Sequence, residues 1–99
     1  MRNRVVMTGM GIWSCLGTTL DAVRQSLYEG RSGIIFSQER KDAGFFSPIC
    51  GNVPKADLKP FLSRNQRQMM SEEAQYAYLA TRQALEQARL DQDYIDSHV

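Results

Sequence analysis

Apolar residues fall in short runs near the start of this chain and at helical spacing towards its end, and that contrast predicts its elements. Val5-Val6-Met7 is a run bounded by Arg4 and Gly9, the pattern of a strand buried on both faces. Thr8 to Gly17 is punctuated by glycine and reads as loop. A helix then opens at Thr18 or Thr19, with Leu20, Val23 and Leu27 on one face, and Gly30 ends it. Thr18 and Asp21 have the spacing of a capping box, with Asp in place of Glu or Gln. Ile34-Ile35-Phe36 is a short apolar patch, and residues 37–47 read as a polar surface excursion. Ile49 to Val53 is a strand candidate between Pro48 and Pro54. Leu58 to Leu62, interrupted by Pro60, reads as a turn or a short helical piece.

The clearest periodicity predicts a helix from about Met69 to Ala88. Ala74, Ala77, Thr81, Ala84, Leu85 and Ala88 recur at i+3 and i+4 spacing. Such small residues let a helix approach a neighbouring backbone closely, but each buries little area. At about 25 cal/mol per Å², this face gains stability only by packing between other layers. Asp91 to Val99 reads as the lead-in to a further element. A strand apolar on both faces needs neighbours on each side, and the chain supplies few. The pattern therefore predicts an α/β domain that is incomplete in this chain, with a complete small domain as the alternative.

Composition changes that picture little. The chain has 99 residues, 42% of them hydrophobic, with 12 basic and 11 acidic residues and a net charge of +1. This excludes wholesale disorder and supplies no overall field for nucleic acid or an anionic membrane. No stretch approaches a membrane span in length. Arg2 and Arg4 before Val5 could begin a signal peptide, but Thr8 and Gly9 break the apolar run and no cleavage motif follows. A cytoplasmic protein is expected.

Candidate chemistry is sparse. Cys15 and Cys50 form no C-x-x-C pair and His98 stands alone, so no metal site is expected; free thiols in a reduced compartment are the simpler reading. Gly9-x-Gly11 fits the opening of a dinucleotide fingerprint, but Ser14 stands at the third glycine and the helix begins too late to meet a pyrophosphate. A tight strand-to-helix connection, using glycine for its backbone angles, explains the pair better. Cys15 lies in a glycine-flanked loop before a helix but lacks a base, since the chain's one histidine is far away at His98. Packing is the expectation for it and for Cys50. Arg64 and Arg67, with Lys55 and Lys59 upstream, form a basic cluster before the long helix. Solvated surface charge is the plain reading; a landing site for an acidic or phosphorylated partner is the functional one.

Specific strings go further. Arg4-Val5-Val6-Met7-Thr8-Gly9-Met10-Gly11-Ile12, followed by Ser14, Leu16 and Gly17, resembles the first strand and loop of elongating β-ketoacyl-acyl carrier protein synthases. Ser26-Leu27-x-x-Gly30-Arg31-Ser32-Gly33-Ile34 is similar to that family's next landmark, and Gly51-Asn52-Val53 to its second strand. Ser63-Arg64 and Met70-Ser71, leading into Ala77 and Ala84-x-x-x-Ala88, resemble the helix that follows. The strings keep the family's order and spacing from about Arg4 to Ala88.

The resemblance implies a thiolase-like α/β fold in five layers, α-β-α-β-α, usually homodimeric, with residues 1–99 a partial N-terminal half. It implies decarboxylative Claisen condensation of an acyl group with malonyl-acyl carrier protein, in fatty acid or polyketide-like synthesis, with acyl carrier protein as partner and no metal or redox cofactor. The family's cysteine and histidines lie further along than this segment runs. Cys15 falls where members carry small or proline-like residues, and His98 matches neither histidine, so no catalytic residue is expected here. The family's basic residues ahead of this helix are thought to meet the carrier protein. Arg64 matches one, Asn65 and Gln68 stand where lysine or arginine often occur, and Arg67 is one place off. Arg64 and Arg67 are therefore the expected docking residues. Other classes left open are a catalytically silent partner resembling a chain-length factor, and a small stand-alone binding module.

Overall fold

The computed structural model describes residues 2–98, with the side chain of His98 outside the described set. The chain divides into two compact units, residues 13–55 and residues 1–12 with 56–99.

In the unit of residues 13–55, a tight turn forms first: the Ser14 amide donates to the Gly17 carbonyl at 2.9 Å and Gly17 returns the bond at 3.3 Å. Helix α1 follows, Leu20–Glu29. Its N-cap is Thr19, whose hydroxyl oxygen accepts from the Ala22 amide at 3.1 Å. The expected pairing of Thr18 with Asp21 gives way to this one, because the helix starts a residue later. At the other end Gly30 takes the left-handed conformation, φ 67°. Its amide bonds to the Leu27 carbonyl at 3.3 Å and the Arg31 amide to that of Ser26 at 2.9 Å, so the last carbonyls are satisfied. Ser26, buried, donates its hydroxyl to the Leu16 carbonyl at 2.6 Å and ties α1 to the turn.

Strand β1, Ile34–Phe36, pairs antiparallel with β2, Ile49–Gly51, in the register Ile34↔Gly51, Ile35↔Cys50, Phe36↔Ile49. Between them the expected excursion contains a short helix, α2, Gln38–Asp42, capped by the Ser37 hydroxyl accepting from the Arg40 amide. The ribbon leaves Ile34, Ile35, Phe36, Ile49 and Phe46 exposed. The indole Nε1 of Trp13 donates to the Pro54 carbonyl at 2.8 Å.

In the other unit, Leu58–Leu62 is a turn, as expected, with the amides of Phe61 and Leu62 both donating to the Leu58 carbonyl at 2.9 Å. The helix expected from about Met69 to Ala88 is α4, Glu72–Ala88, and a short helix that was not expected, α3, Arg64–Gln68, precedes it. Ser71 separates them, because its hydroxyl oxygen accepts from the Ala74 amide at 3.2 Å and starts a new helix. Arg89 in the left-handed region, φ 60°, ends α4. Where only a lead-in was expected, α5 forms, Gln92–His98, with the Asp91 carboxylate accepting from the Tyr94 amide at 2.7 Å. Among the described residues, Leu58 and Leu79 are the buried apolar ones of this unit.

Val5-Val6-Met7 is not a strand. These residues are exposed, Val5 at 94%. A strand is defined by its partner, and among the described residues none lies beside this run. Further along, the same segment is held by α4. The Met10 amide donates to Gln87 Oε1 at 2.7 Å and the Ile12 amide to Gln83 Oε1 at 3.1 Å. Gly9 sits against Ala84 and Ala88, and Gly11 against Ala80. Contacts recur every second residue on the segment and every fourth on the helix, in opposite directions. Two extended residues advance about 6.6 Å and four helical ones about 6.0 Å, so the repeats nearly match. This is the close approach that the alanine-rich face predicted, with Ala80 joining Ala84 and Ala88.

Candidate functional site

The basic cluster is built on α3, a single turn fixed at its start by a reciprocal cap. Ser63 Oγ accepts from the Gln66 amide at 3.3 Å, and Gln66 Oε1 accepts from the Ser63 amide at 3.0 Å. Each bond satisfies an amide that a helix start leaves unpaired. Ser63-x-x-Gln66 is a capping signature visible in the sequence, ahead of the helix expected from about Met69.

The two candidate arginines on this turn differ. Arg64, at its first position, is exposed, as are Asn65 and Gln68. Arg67 is half-buried, and its Nε lies out of solvent with no hydrogen-bond partner. An unpaired buried donor of this kind costs about 1–3 kcal/mol. Of the upstream lysines, Lys59 is exposed, its amide held by the Asp57 carboxylate at 3.1 Å. Lys55 belongs to the other unit.

A further cation is associated with this turn. The Arg82 guanidinium on α4 lies 4.0 Å from the centroid of the Phe61 ring, and Phe61 stands three residues before Arg64. Tyr78 flanks the same ring at 6.5 Å between centroids. Glu86 approaches Arg82 Nη2 at 3.6 Å. The sequence reading missed Arg82 because it lies on the polar side of a helix, where a lone arginine carries no signal; only the fold brings it to Phe61.

Cysteine chemistry has no support in the geometry. Cys15 and Cys50 are free thiols, both half-buried. Cys15 packs against Gly33, whose missing side chain leaves room for it, and lies near Gly51, where a Cβ would make only an ordinary contact. Cys50 lies within β2, opposite Ile35. Among the described residues no group of three or more His, Cys, Asp or Glu could hold a metal ion. Nor is any helix among them long and apolar enough to cross a membrane.

Gly9 and Gly11 need correcting in their reason. Positive φ among the described residues is confined to Gly30, Gly44 and Arg89, so unusual backbone angles are not what these glycines supply. They are glycine because the backbone of α4 lies where a side chain would go.

Comparison with known proteins bears on the whole segment. Residues 2–98 match the family model described as beta-ketoacyl synthase, N-terminal domain. The chain is 46% identical over 87 residues to 3-oxoacyl-[acyl-carrier-protein] synthase 1 of Escherichia coli K12, covering 88% of this chain and 21% of that protein. Over 94 residues it is 34% identical to the synthase 1 of Haemophilus influenzae, covering 95% and 23%. Over 90 residues it is 32% identical to the synthase 2 of Vibrio harveyi, covering 91% and 22%. The chain thus spans about a fifth of the length of the curated relatives it matches.

Proposed function

This chain belongs to the β-ketoacyl synthase family, in its N-terminal domain, and from that premise we propose that the protein carrying it is a 3-oxoacyl-acyl carrier protein synthase of fatty acid synthesis. The observation that carries the proposal is the 46% identity to a synthase of that name along most of this segment. The relatives bear the names of synthases, which favours a condensing enzyme over a silent partner subunit.

In this reading residues 1–99 form part of the N-terminal half of a five-layer α-β-α-β-α domain, and the whole protein works as a cytoplasmic homodimer. The acyl group would pass from carrier protein to a cysteine outside this segment. Decarboxylation of malonyl-carrier protein, assisted by histidines, would generate the carbanion that attacks the thioester. Hydrogen-bond donors around the thioester oxygen would stabilise the charge that develops there. The segment's own contribution is scaffold and surface: Arg64, with Arg67 in support, docks the acidic carrier protein. A guanidinium suits two-pronged pairing with carboxylate or phosphate, and α3 holds Arg64 at its exposed first position.

The test uses the full-length protein. It should convert acyl- and malonyl-carrier protein to the 3-oxoacyl product; no product under conditions where a known synthase is active would refute the activity. Arg64→Glu should raise KM for carrier-linked substrates about fivefold, the equivalent of about 1 kcal/mol for one exposed contact, and more at low salt than at high. A small thioester mimic, which never meets the surface, should react unchanged. Equal loss on both substrates, or loss on neither, would refute docking through Arg64.

A further inference from the structure

The docking surface proposed above draws, in the sequence, on Arg64 and Arg67. Arg67 is the less exposed of these, half-buried with its Nε out of solvent. Asn65 and Gln68 are exposed but neutral. A single exposed arginine is a poor anchor for an acidic protein, since one rim charge in water contributes little.

We propose that Arg82 supplies the second cation of this surface, held ready by the Phe61 ring; this rests on the carrier-docking reading of α3. Phe61 precedes Arg64 by three residues, a length of chain that reaches at most about 11 Å. The Arg82 guanidinium, 4.0 Å from the Phe61 centroid, is thus held on a residue whose Cα lies within that reach of the Arg64 Cα. A guanidinium stacked on a ring through its flat face keeps its N–H edges free to bond in the plane. Phe61 is 42% exposed and the Arg82 side chain 40%, so the pair is reachable from solvent. Glu86, the acid paired with it, approaches at 3.6 Å and is itself 72% exposed. Such a surface pair is weak and does not occupy the guanidinium.

The Phe61 ring adds more than position. A free arginine loses rotamer freedom when it binds, and an arginine already resting on a ring has lost part of it beforehand. The partner that fits is an acidic surface whose carboxylates or phosphate meet Arg64 and Arg82 together.

The experiment measures KM for acyl-carrier protein in the full-length protein, beside a small thioester mimic, at low and high salt. Arg82→Met keeps the aliphatic packing on Phe61 and removes the charge. It should raise KM for the carrier substrate about threefold, with a smaller effect at high salt and none on the mimic. Arg82→Lys should recover part of the loss, because it keeps the charge without the fork. Phe61→Leu should raise KM by less than Arg82→Met, by freeing the guanidinium. If Arg64→Glu raises KM while Arg82→Met leaves it unchanged, the role of Arg82 is overturned and docking stands. If neither changes KM, docking at this turn fails as a whole. If Arg82→Met slows both substrates equally or lowers the melting temperature sharply, while Arg82→Lys restores neither, Arg82 is structural and the proposal falls.

Discussion

Gly11→Ala is the sharpest probe of the packing between the first segment and α4. A Cβ built at Gly11 meets the carbonyl oxygen of Ala80, lies 2.6 Å from its carbonyl carbon and 3.1 Å from its Cα. All of these are main-chain atoms of a helix interior, so nothing can swing aside. The segment must instead lift from the helix by on the order of 1 Å to recover ordinary contact distances. Overpacking of this kind costs about 1–3 kcal/mol. Lifting also stretches the bond from the Ile12 amide to Gln83, now 3.1 Å, and losing it costs about 1 kcal/mol more. The alanine returns about 0.5 kcal/mol by restricting the unfolded chain. The net expectation is a loss of about 2–3 kcal/mol, read by denaturant unfolding of the full-length protein followed by circular dichroism. Gly51→Ala is the control: its Cβ would lie 3.5 Å from Cβ and Sγ of Cys15, an ordinary contact, and should change stability by less than about 0.5 kcal/mol. Adding Ala80→Gly to Gly11→Ala should make matters worse, since the helix loses about 1 kcal/mol and the backbone obstruction remains. Rescue by Ala80→Gly, or a Gly11→Ala protein as stable as wild type, would refute the argument.

Two more outcomes follow from the geometry. Cys15→Ser in the full-length protein should keep activity within a few-fold and cost about 1 kcal/mol, because the thiol is packing against glycines; loss of acyl-enzyme formation with folding intact would contradict this. Ser71→Ala should cost about 1 kcal/mol by removing the cap of α4, detected as a lower unfolding midpoint, and a Ser71→Asp protein should retain most of the stability because aspartate caps equally well.

The sequence made legible what local rules decide. Gly30 ends α1 and a threonine begins it; the alanine stripe announced a helix pressed on a backbone; Pro48 and Pro54 bracketed β2. The failures were of two kinds. Val5-Val6-Met7 has every local mark of a strand, but a strand exists only opposite another, and pairing is not written in the run itself. Short capped pieces were missed for a different reason: α2 and α3 have five residues each, too few for periodicity, and their evidence lies in Ser37, Ser63 and Gln66. At the candidate surface, Arg64 was legible from the resemblance and its exposure from the cap. Arg82 was not, because its place beside Phe61 depends on how α4 lies against the turn at residues 58–62. Nor were Gln83 and Gln87, whose amides read as ordinary helix surface until the segment beside them is seen.

The near-match of repeats between the first segment and α4 makes that contact behave like a rack engaged with a worm gear. A shift of one residue would rotate Gly9 and Gly11 away and drive Met10 against the alanines. A joint shift of two residues and one turn would set Met7 or Trp13 where a glycine must be. Only one engagement is open, and the mismatch of about 0.6 Å per repeat confines it to a short patch. Single-residue insertions or deletions within residues 9–12, or between Ala80 and Ala88, cannot be absorbed where they occur. Changes of length in this part of the family should collect elsewhere, as in the excursion of residues 37–47, where no such teeth engage.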